Sequence, residues 1–75
     1  MNWREHIQSD PEILVGKPAI KGTRLAVEFI LGLYEAGWSE QQILDNYPRL
    51  TQNDLRAVFA YIQDCIKDEL ILIRA

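Results

Sequence analysis

The sequence predicts a mainly α-helical domain in which three helices follow a short N-terminal β arm or hairpin. Three observations predict this fold. Proline and glycine interrupt the N-terminal third, an apolar run ends at Gly37, and Ser39 and Thr51 each stand where a helix N-cap belongs. The 75 residues make a single domain, 1–75, and a domain of this size hides only about 60% of the surface that its unfolded chain exposes. So small a core favours a partner or a second copy.

The β arm is predicted over residues 1–25. Asp10-Pro11 begins a turn, and Ile13–Val15 is one predicted short strand. Ala19-Ile20 is a second, beyond the run Gly16-Lys17-Pro18. Glycine and proline at this density exclude a helix, so the segment is a loop or a short hairpin.

The first helix is predicted over residues 26–37, with Gly37 at the position after its last turn. At about 100° per residue, one face of this helix holds Val27, Ile30, Leu31 and Tyr34. Phe29 and Leu33 lie on nearly the opposite face. A helix that is apolar on two sides needs cover on both, so Phe29 and Leu33 are predicted to contact the arm or another chain.

Two capping signals predict the other helices, over residues 39–46 and 51–69. Ser39 is followed three residues later by Gln42, which completes a capping box, and Thr51 is followed in the same way by Asp54. The third helix carries a regular apolar stripe formed by Leu55, Val58, Phe59, Ile62 and Ile66. That stripe is predicted to face the core.

Two short helices followed by a longer one have the order of a helix-turn-helix, in which the last helix lies in the major groove of DNA. The predicted solvent side of helix three is a strip, roughly 80° wide, that contains no acid. The strip consists of Asn53, Arg56, Ala60, Gln63 and Lys67. Asparagine pairs with adenine edges and arginine with guanine, so Asn53, Arg56, Gln63 and Lys67 are predicted to bind DNA. An ordinary exposed helix face is the alternative interpretation.

A local excess of positive charge marks the arm. Lys17, Lys21 and Arg24 stand in a stretch without acids, although the chain carries a net charge of −3. These three side chains are predicted to contact phosphate or an acidic partner. In the alternative interpretation they form a solvated hairpin tip, with the stem of Arg24 packed across Trp3 or Trp38.

Composition excludes several classes of function. One cysteine, Cys65, and one histidine, His6, provide neither a disulfide nor a zinc site, and no nucleophile–base pair is evident. We therefore expect no enzyme and no cofactor, with His6 a surface or strand residue and the apolar-flanked Cys65 a small hydrophobe. A magnesium site at Asp64, Asp68 and Glu69 is a weaker alternative to a solvated helix end. Cysteine usage and the absence of a long apolar stretch predict a cytoplasmic protein that enters no membrane.

The arm residues Asp10-Pro11, Gly16-Lys17-Pro18 and Ile20-Lys21-Gly22-Thr23-Arg24, with Gly37 and the run Tyr47–Thr51, resemble the domain of unknown function 433. The resemblance covers about residues 4–62. It implies a homeodomain-like helix-turn-helix fold and the role of a predicted antitoxin, encoded beside a small nuclease-like toxin of the PIN-related kind. The chain departs from many relatives at Val15, where they have glycine, and at Ala26, where they have proline.

The functional prediction is an antitoxin that binds its toxin, sterically blocks it and represses its own operon through helix three. Its partners would be a cognate toxin, operator DNA and a second copy, because a homodimer doubles the basic strip. The side chains predicted to bind a partner are Leu70, Ile71, Leu72, Ile73, Phe29 and Leu33. Asp64, Asp68 and Glu69 would complement a basic RNA-binding cleft. The alternatives are a stand-alone DNA-binding regulator and a structural dimerisation module.

Overall fold

A computed structural model describes residues 1–68, and within them three helices follow an N-terminal hairpin, which confirms the predicted fold class. In chain order the strands and helices are β1 (Ile7–Gln8), β2 (Ala19–Ile20), α1 (Val27–Glu35), α2 (Glu40–Asn46) and α3 (Gln52–Lys67). Single 3₁₀ turns precede each strand, at Trp3–Glu5 and Leu14–Gly16. None of the helices described in residues 1–68 is long and apolar enough to cross a membrane.

The hairpin pairs β1 with β2 in antiparallel register, with Ile7 opposite Ile20 and Gln8 opposite Ala19. The predicted strand at Ile13–Val15 is therefore wrong, and the first strand lies six residues earlier in the chain. The reason is local backbone geometry, since Leu14 and Val15 have φ angles of 53° and 56°, in the left-handed region. An extended strand excludes that conformation, which is also strained for a β-branched residue such as Val15. Glycine adopts this conformation freely.

The helix α1 is tied to the arm at its start and closed by glycine at its end. The Val27 amide donates to the Pro18 carbonyl oxygen at 2.9 Å. After the last turn, Gly37 has a φ of 93°, and its amide donates to Tyr34 while the Trp38 amide donates to Leu33. Gly37 thus ends the helix as its position predicts.

Both predicted capping signals are confirmed. The Ser39 hydroxyl accepts from the Gln42 amide at 3.1 Å, and the Gln42 side chain accepts from the Ser39 amide at 2.8 Å. At α3 the Thr51 hydroxyl accepts from the Asp54 amide at 3.1 Å, and the Asp54 carboxylate accepts from the Thr51 amide at 3.0 Å. Each reciprocal pair satisfies two amide groups that the helix itself leaves without partners.

The core lies where the three helices meet the hairpin. Its most completely buried large side chains are Ile20, Ile30, Ile43, Leu55 and Val58. The predicted stripe on α3 is correct for Leu55 and Val58 but wrong for Phe59 and Ile66, which are each 49% exposed. The exposure of Phe59 and Ile66 differs from the prediction because the N-terminal arm packs on another side of α3, and Ala57 of this helix is buried.

Candidate nucleic-acid interface

The helix α3 presents a polar face to solvent. The side chains of Asn53, Arg56, Gln63 and Lys67 are all exposed, and Ala60 between them is partly exposed. The four predicted DNA-binding positions therefore lie together on one accessible surface of a 16-residue helix. Phe59 and Ile66 flank this strip on one side by helical angle.

The N-terminal arm holds two acidic side chains of α3 away from that strip. One carboxylate oxygen of Asp54 lies 2.9 Å from Nδ1 of His6, and its other oxygen accepts from the Thr51 amide. The carboxylate of Asp64 accepts from the Trp3 indole N–H at 2.6 Å. Both carboxylates therefore contact the arm. The arm thus binds two of the acidic side chains that border the polar strip of α3.

The contacts of His6 and Trp3 with α3 were not predicted from the sequence. His6 was expected at the surface or in a strand, and its ring is partly buried against the Asp54 carboxylate. Trp3 packs edge to face on Tyr61, with ring centroids 4.8 Å apart, and the guanidinium of Arg4 lies 4.4 Å from its ring centroid. It is therefore Arg4 that covers Trp3, where the sequence analysis had offered Arg24.

The three basic side chains of the arm separate into two locations. Lys17 forms an ion pair with Glu28 at 3.1 Å and lines a groove of about 790 Å³ between α1 and the C-terminal half of α3. The walls of that groove are mostly apolar and include Leu31, Tyr61 and Ile62. Burial raises the pKa of the Tyr61 hydroxyl, and its hydrogen bond with the Cys65 side chain raises it further. The Tyr61 hydroxyl therefore stays protonated at neutral pH. The lining of the groove shows that Lys17 belongs to a mainly apolar surface.

Lys21 and Arg24 lie on another surface, in the turn that follows β2. There Arg24 lines the same cavity as Arg49, a residue that the sequence analysis missed, from the turn between α2 and α3. The Arg49 guanidinium donates from Nη1 to the Gly22 carbonyl oxygen at 3.3 Å. A cavity of about 270 Å³ lies between the two turns and is lined by Thr23, Arg24, Leu25, Asn46, Tyr47, Pro48 and Arg49. No sequence spacing links Gly22 to Arg49, which are 27 residues apart.

The predicted partner-binding residues have mixed outcomes. Phe29 is 44% exposed, with its ring edge to face on Tyr47 at 5.7 Å, so it remains accessible. Leu33 is partly buried against the core. The apolar run Leu70, Ile71, Leu72 and Ile73, like Glu69, lies outside the described residues. Of the acidic group predicted with Glu69, Asp64 accepts a hydrogen bond from the Trp3 indole.

Comparisons with known proteins concern the family and the fold of the chain. The family model described as "Protein of unknown function (DUF433)" matches residues 7–62. A crystal structure of a DUF433 member protein from Anabaena variabilis is similar with a TM-score of 0.75 and 31% sequence identity, over 83% of this chain and 61% of that chain. The uncharacterized protein y4eO of Sinorhizobium fredii is 33% identical over 60 residues, which cover 80% of this chain. The matched segment amounts to 27% of y4eO, so the chain spans about a quarter of that relative's length.

Proposed function

The chain belongs to the DUF433 family, and we propose that this member is a DNA-binding regulatory domain that acts as the antitoxin of a toxin–antitoxin pair. In this proposal α3 reads operator DNA, and apolar surface elsewhere on the domain binds and blocks a small nuclease-like toxin. The DNA-binding half rests on the geometry of α3. The antitoxin half rests on the family resemblance.

The observation that carries the proposal is the acid-free exposed face of α3. Asn53 and Arg56 offer the donor and acceptor groups that pair with adenine and guanine in the major groove. The carboxylates of Asp54 and Asp64 are held by contacts with His6 and Trp3 of the arm, outside that face. The arrangement places polar side chains on one face of α3 and these two acids against the arm. Such a separation favours a polyanionic ligand.

The net charge of −3 limits how tightly one copy can bind DNA, because each phosphate contact requires a positive charge. A homodimer doubles the basic surface and presents two α3 helices to successive turns of the major groove, about 34–36 Å apart. We therefore propose that the DNA-binding unit is a dimer. The operator would then contain two half-sites at that spacing.

The toxin-binding surface is proposed to include Phe29 and the apolar run at residues 70–73. Phe29 lies on α1 and is 44% exposed, so its ring is accessible to a partner. Asp68, exposed at the end of α3, adds negative charge next to the run. Negative charge there complements the basic cleft of an RNA-cleaving enzyme.

Substitution of Arg56 by alanine is expected to raise the dissociation constant for the chain's own upstream DNA by about 5- to 150-fold. That range corresponds to the roughly 1–3 kcal/mol of one bidentate arginine–guanine contact. Fluorescence anisotropy with the native duplex and a scrambled duplex measures it, at two salt concentrations. Lys17→Ala is the matched control, because it removes the same charge from the α1–α3 groove. Equal affinity of the Arg56→Ala variant and the wild type would contradict DNA reading by α3.

Truncation after Lys67 tests the antitoxin half. We expect the full chain to co-purify with a small nuclease-like protein encoded beside it and to inhibit its RNA cleavage, and the truncated chain to lose both properties. Size-exclusion chromatography of the co-expressed pair and an RNA cleavage assay measure this. Complete retention of binding by the truncated chain would remove residues 70–73 from the interface. Specific DNA binding without any effect on the neighbouring protein would favour a stand-alone regulator.

A further inference from the structure

Two turns that are distant in sequence meet at one end of the domain. The first contains Lys21, Gly22 and Arg24, after β2, and the second contains Arg49, between α2 and α3. Their contact is the 3.3 Å hydrogen bond from the Arg49 guanidinium to the Gly22 carbonyl oxygen. The bond uses one of the five N–H donors of the guanidinium and leaves the others available. The contact therefore brings Arg24 and Arg49 to the small cavity between the turns, and the exposed Lys21 lies on the same turn as Arg24.

The first turn is held by its own hydrogen bonds. The Ile20 carbonyl oxygen accepts from the Thr23 amide at 3.1 Å and from the Thr23 hydroxyl at 2.8 Å. That hydroxyl also accepts from the Leu25 amide at 3.0 Å. Gly22 has a φ of 77°, which side-chain-bearing residues rarely adopt. Thr23 and Gly22 thus fix the path of the turn, so Lys21 and Arg24 project from a defined backbone.

The second turn is equally well anchored. The Leu50 amide donates to the Tyr47 carbonyl oxygen at 2.9 Å, and the Leu50 side chain is buried in the core. Arg49, between them, stays exposed and lies three residues before α3 begins. The cationic side chains are therefore fixed at the N-terminal end of the helix that carries Asn53 and Arg56.

We propose that Lys21, Arg24 and Arg49 form a binding site for the phosphodiester groups of a nucleic-acid duplex that lies along α3. This assignment deepens the proposed function and rests on it. Among the residues that the structure describes, none of the three forms an ion pair with a carboxylate. Lys17, by contrast, is paired with Glu28. The basic surface at the two turns is thus uncompensated in a chain that is acidic overall.

The position of the cluster favours a nucleic-acid backbone over a free anion. In a helix-turn-helix complex, the N-terminal residues of the reading helix contact bases while neighbouring segments contact phosphates. Arg49 lies immediately before α3, and its bond to Gly22 brings Arg24 to the same end of the helix. The two arginine side chains match phosphate geometry, since a guanidinium presents parallel N–H donors to two oxygens. The cluster would hold the duplex in register while Asn53 and Arg56 read its bases.

The salt dependence of DNA binding tests this site. Each lost phosphate contact lowers the slope of log K against log salt by about 0.9. We expect R24Q and R49Q each to show that decrease, and the double variant to show about 1.8. Between about 50 and 200 mM salt, the double variant would then lose about twelvefold less affinity than the wild type. K17Q removes one positive charge at the other surface and is expected to keep the wild-type slope. Thermal melts establish that each variant is folded.

Titration of the wild type with inorganic phosphate and with the duplex, followed by NMR at the Gly22 and Arg49 amides, separates the two sources of phosphate. Shifts with the duplex and little change with inorganic phosphate are expected. Unchanged slopes in R24Q and R49Q, with Arg56→Ala still weakening binding, would overturn this site and leave the proposed function standing. Absence of duplex binding by the wild type would overturn both. Shifts with inorganic phosphate alone would then assign the cluster to a free phosphate compound.

Discussion

Replacing Ile30 with alanine is expected to lower the free energy of unfolding by about 2–5 kcal/mol. Ile30 has no exposed surface and lies on α1, in the core cluster with Leu55 and Val58 of α3. The cost combines the lost burial of the side chain with the cavity that remains. A domain of 75 residues has a total stability of roughly 4–11 kcal/mol. This one substitution therefore removes a large part of it, as urea denaturation followed by circular dichroism would measure.

Phe29→Ala is the matched control for Ile30→Ala, because it removes a larger side chain from the adjacent position of the same helix. Phe29 is 44% exposed, so we expect a smaller loss of stability than for Ile30 despite the larger volume removed. A greater loss of stability in Phe29→Ala than in Ile30→Ala would show that burial does not determine which substitution costs more. We also expect the Phe29→Ala variant to remain folded, so that it serves to test partner binding.

The capping boxes and the glycine stop were predictable because they depend on neighbours in the chain. Ser39 and Gln42 are three residues apart, as are Thr51 and Asp54, and the helical backbone alone brings each pair together. Gly37 likewise acts on the turn that it follows. The strand at Ile7–Gln8 was not predictable in this way. A strand of two residues carries too short a pattern, and in the more apolar segment Ile13–Val15 the residues Leu14 and Val15 adopt left-handed backbone angles.

The placement of the arm on α3 could not be predicted from spacing. His6 and Asp54 are 48 residues apart, and Trp3 and Asp64 are 61 residues apart. Helical angles placed Asp54 and Asp64 beside the polar strip, but only the folded chain shows what binds them. The same contact explains the exposure of Phe59, since α3 is covered by the arm as well as by the other helices.

The part of the candidate site that lies on α3 was predicted from the sequence. The part formed by two turns was missed. The exposed strip with Asn53 and Arg56 follows from the angular period of a helix, so its geometry was predictable. Lys17, Lys21 and Arg24 looked like one basic segment because they are close in sequence. In the structure Lys17 pairs with Glu28 on α1, whereas Arg24 lines a cavity together with Arg49. Charge clusters of this kind depend on which loops meet.

Replacing Trp3 with alanine is expected to lower the free energy of unfolding by about 2–4 kcal/mol, slightly below the range for a fully buried tryptophan. The substitution removes the indole hydrogen bond to Asp64, the edge-to-face packing on Tyr61 and the contact with Arg4. It also frees the Asp64 carboxylate beside the polar strip of α3. We therefore expect DNA affinity to fall even under conditions where the variant is folded, because the released carboxylate is free to turn towards the strip, where its charge repels phosphate.

Trp3→Phe separates the two effects. The phenylalanine ring retains packing on Tyr61 but cannot donate to Asp64, so its cost in stability should be about 1.5–3 kcal/mol, the range for a hydrogen bond to a charged group. Because Asp64 is freed in both variants, their loss of DNA affinity should be similar, and the further substitution Asp64→Asn should restore it. Urea denaturation and anisotropy on the same samples measure both quantities. If Asp64→Asn fails to restore affinity in Trp3→Phe, the arm stabilises α3 without controlling the charge of its DNA-facing side.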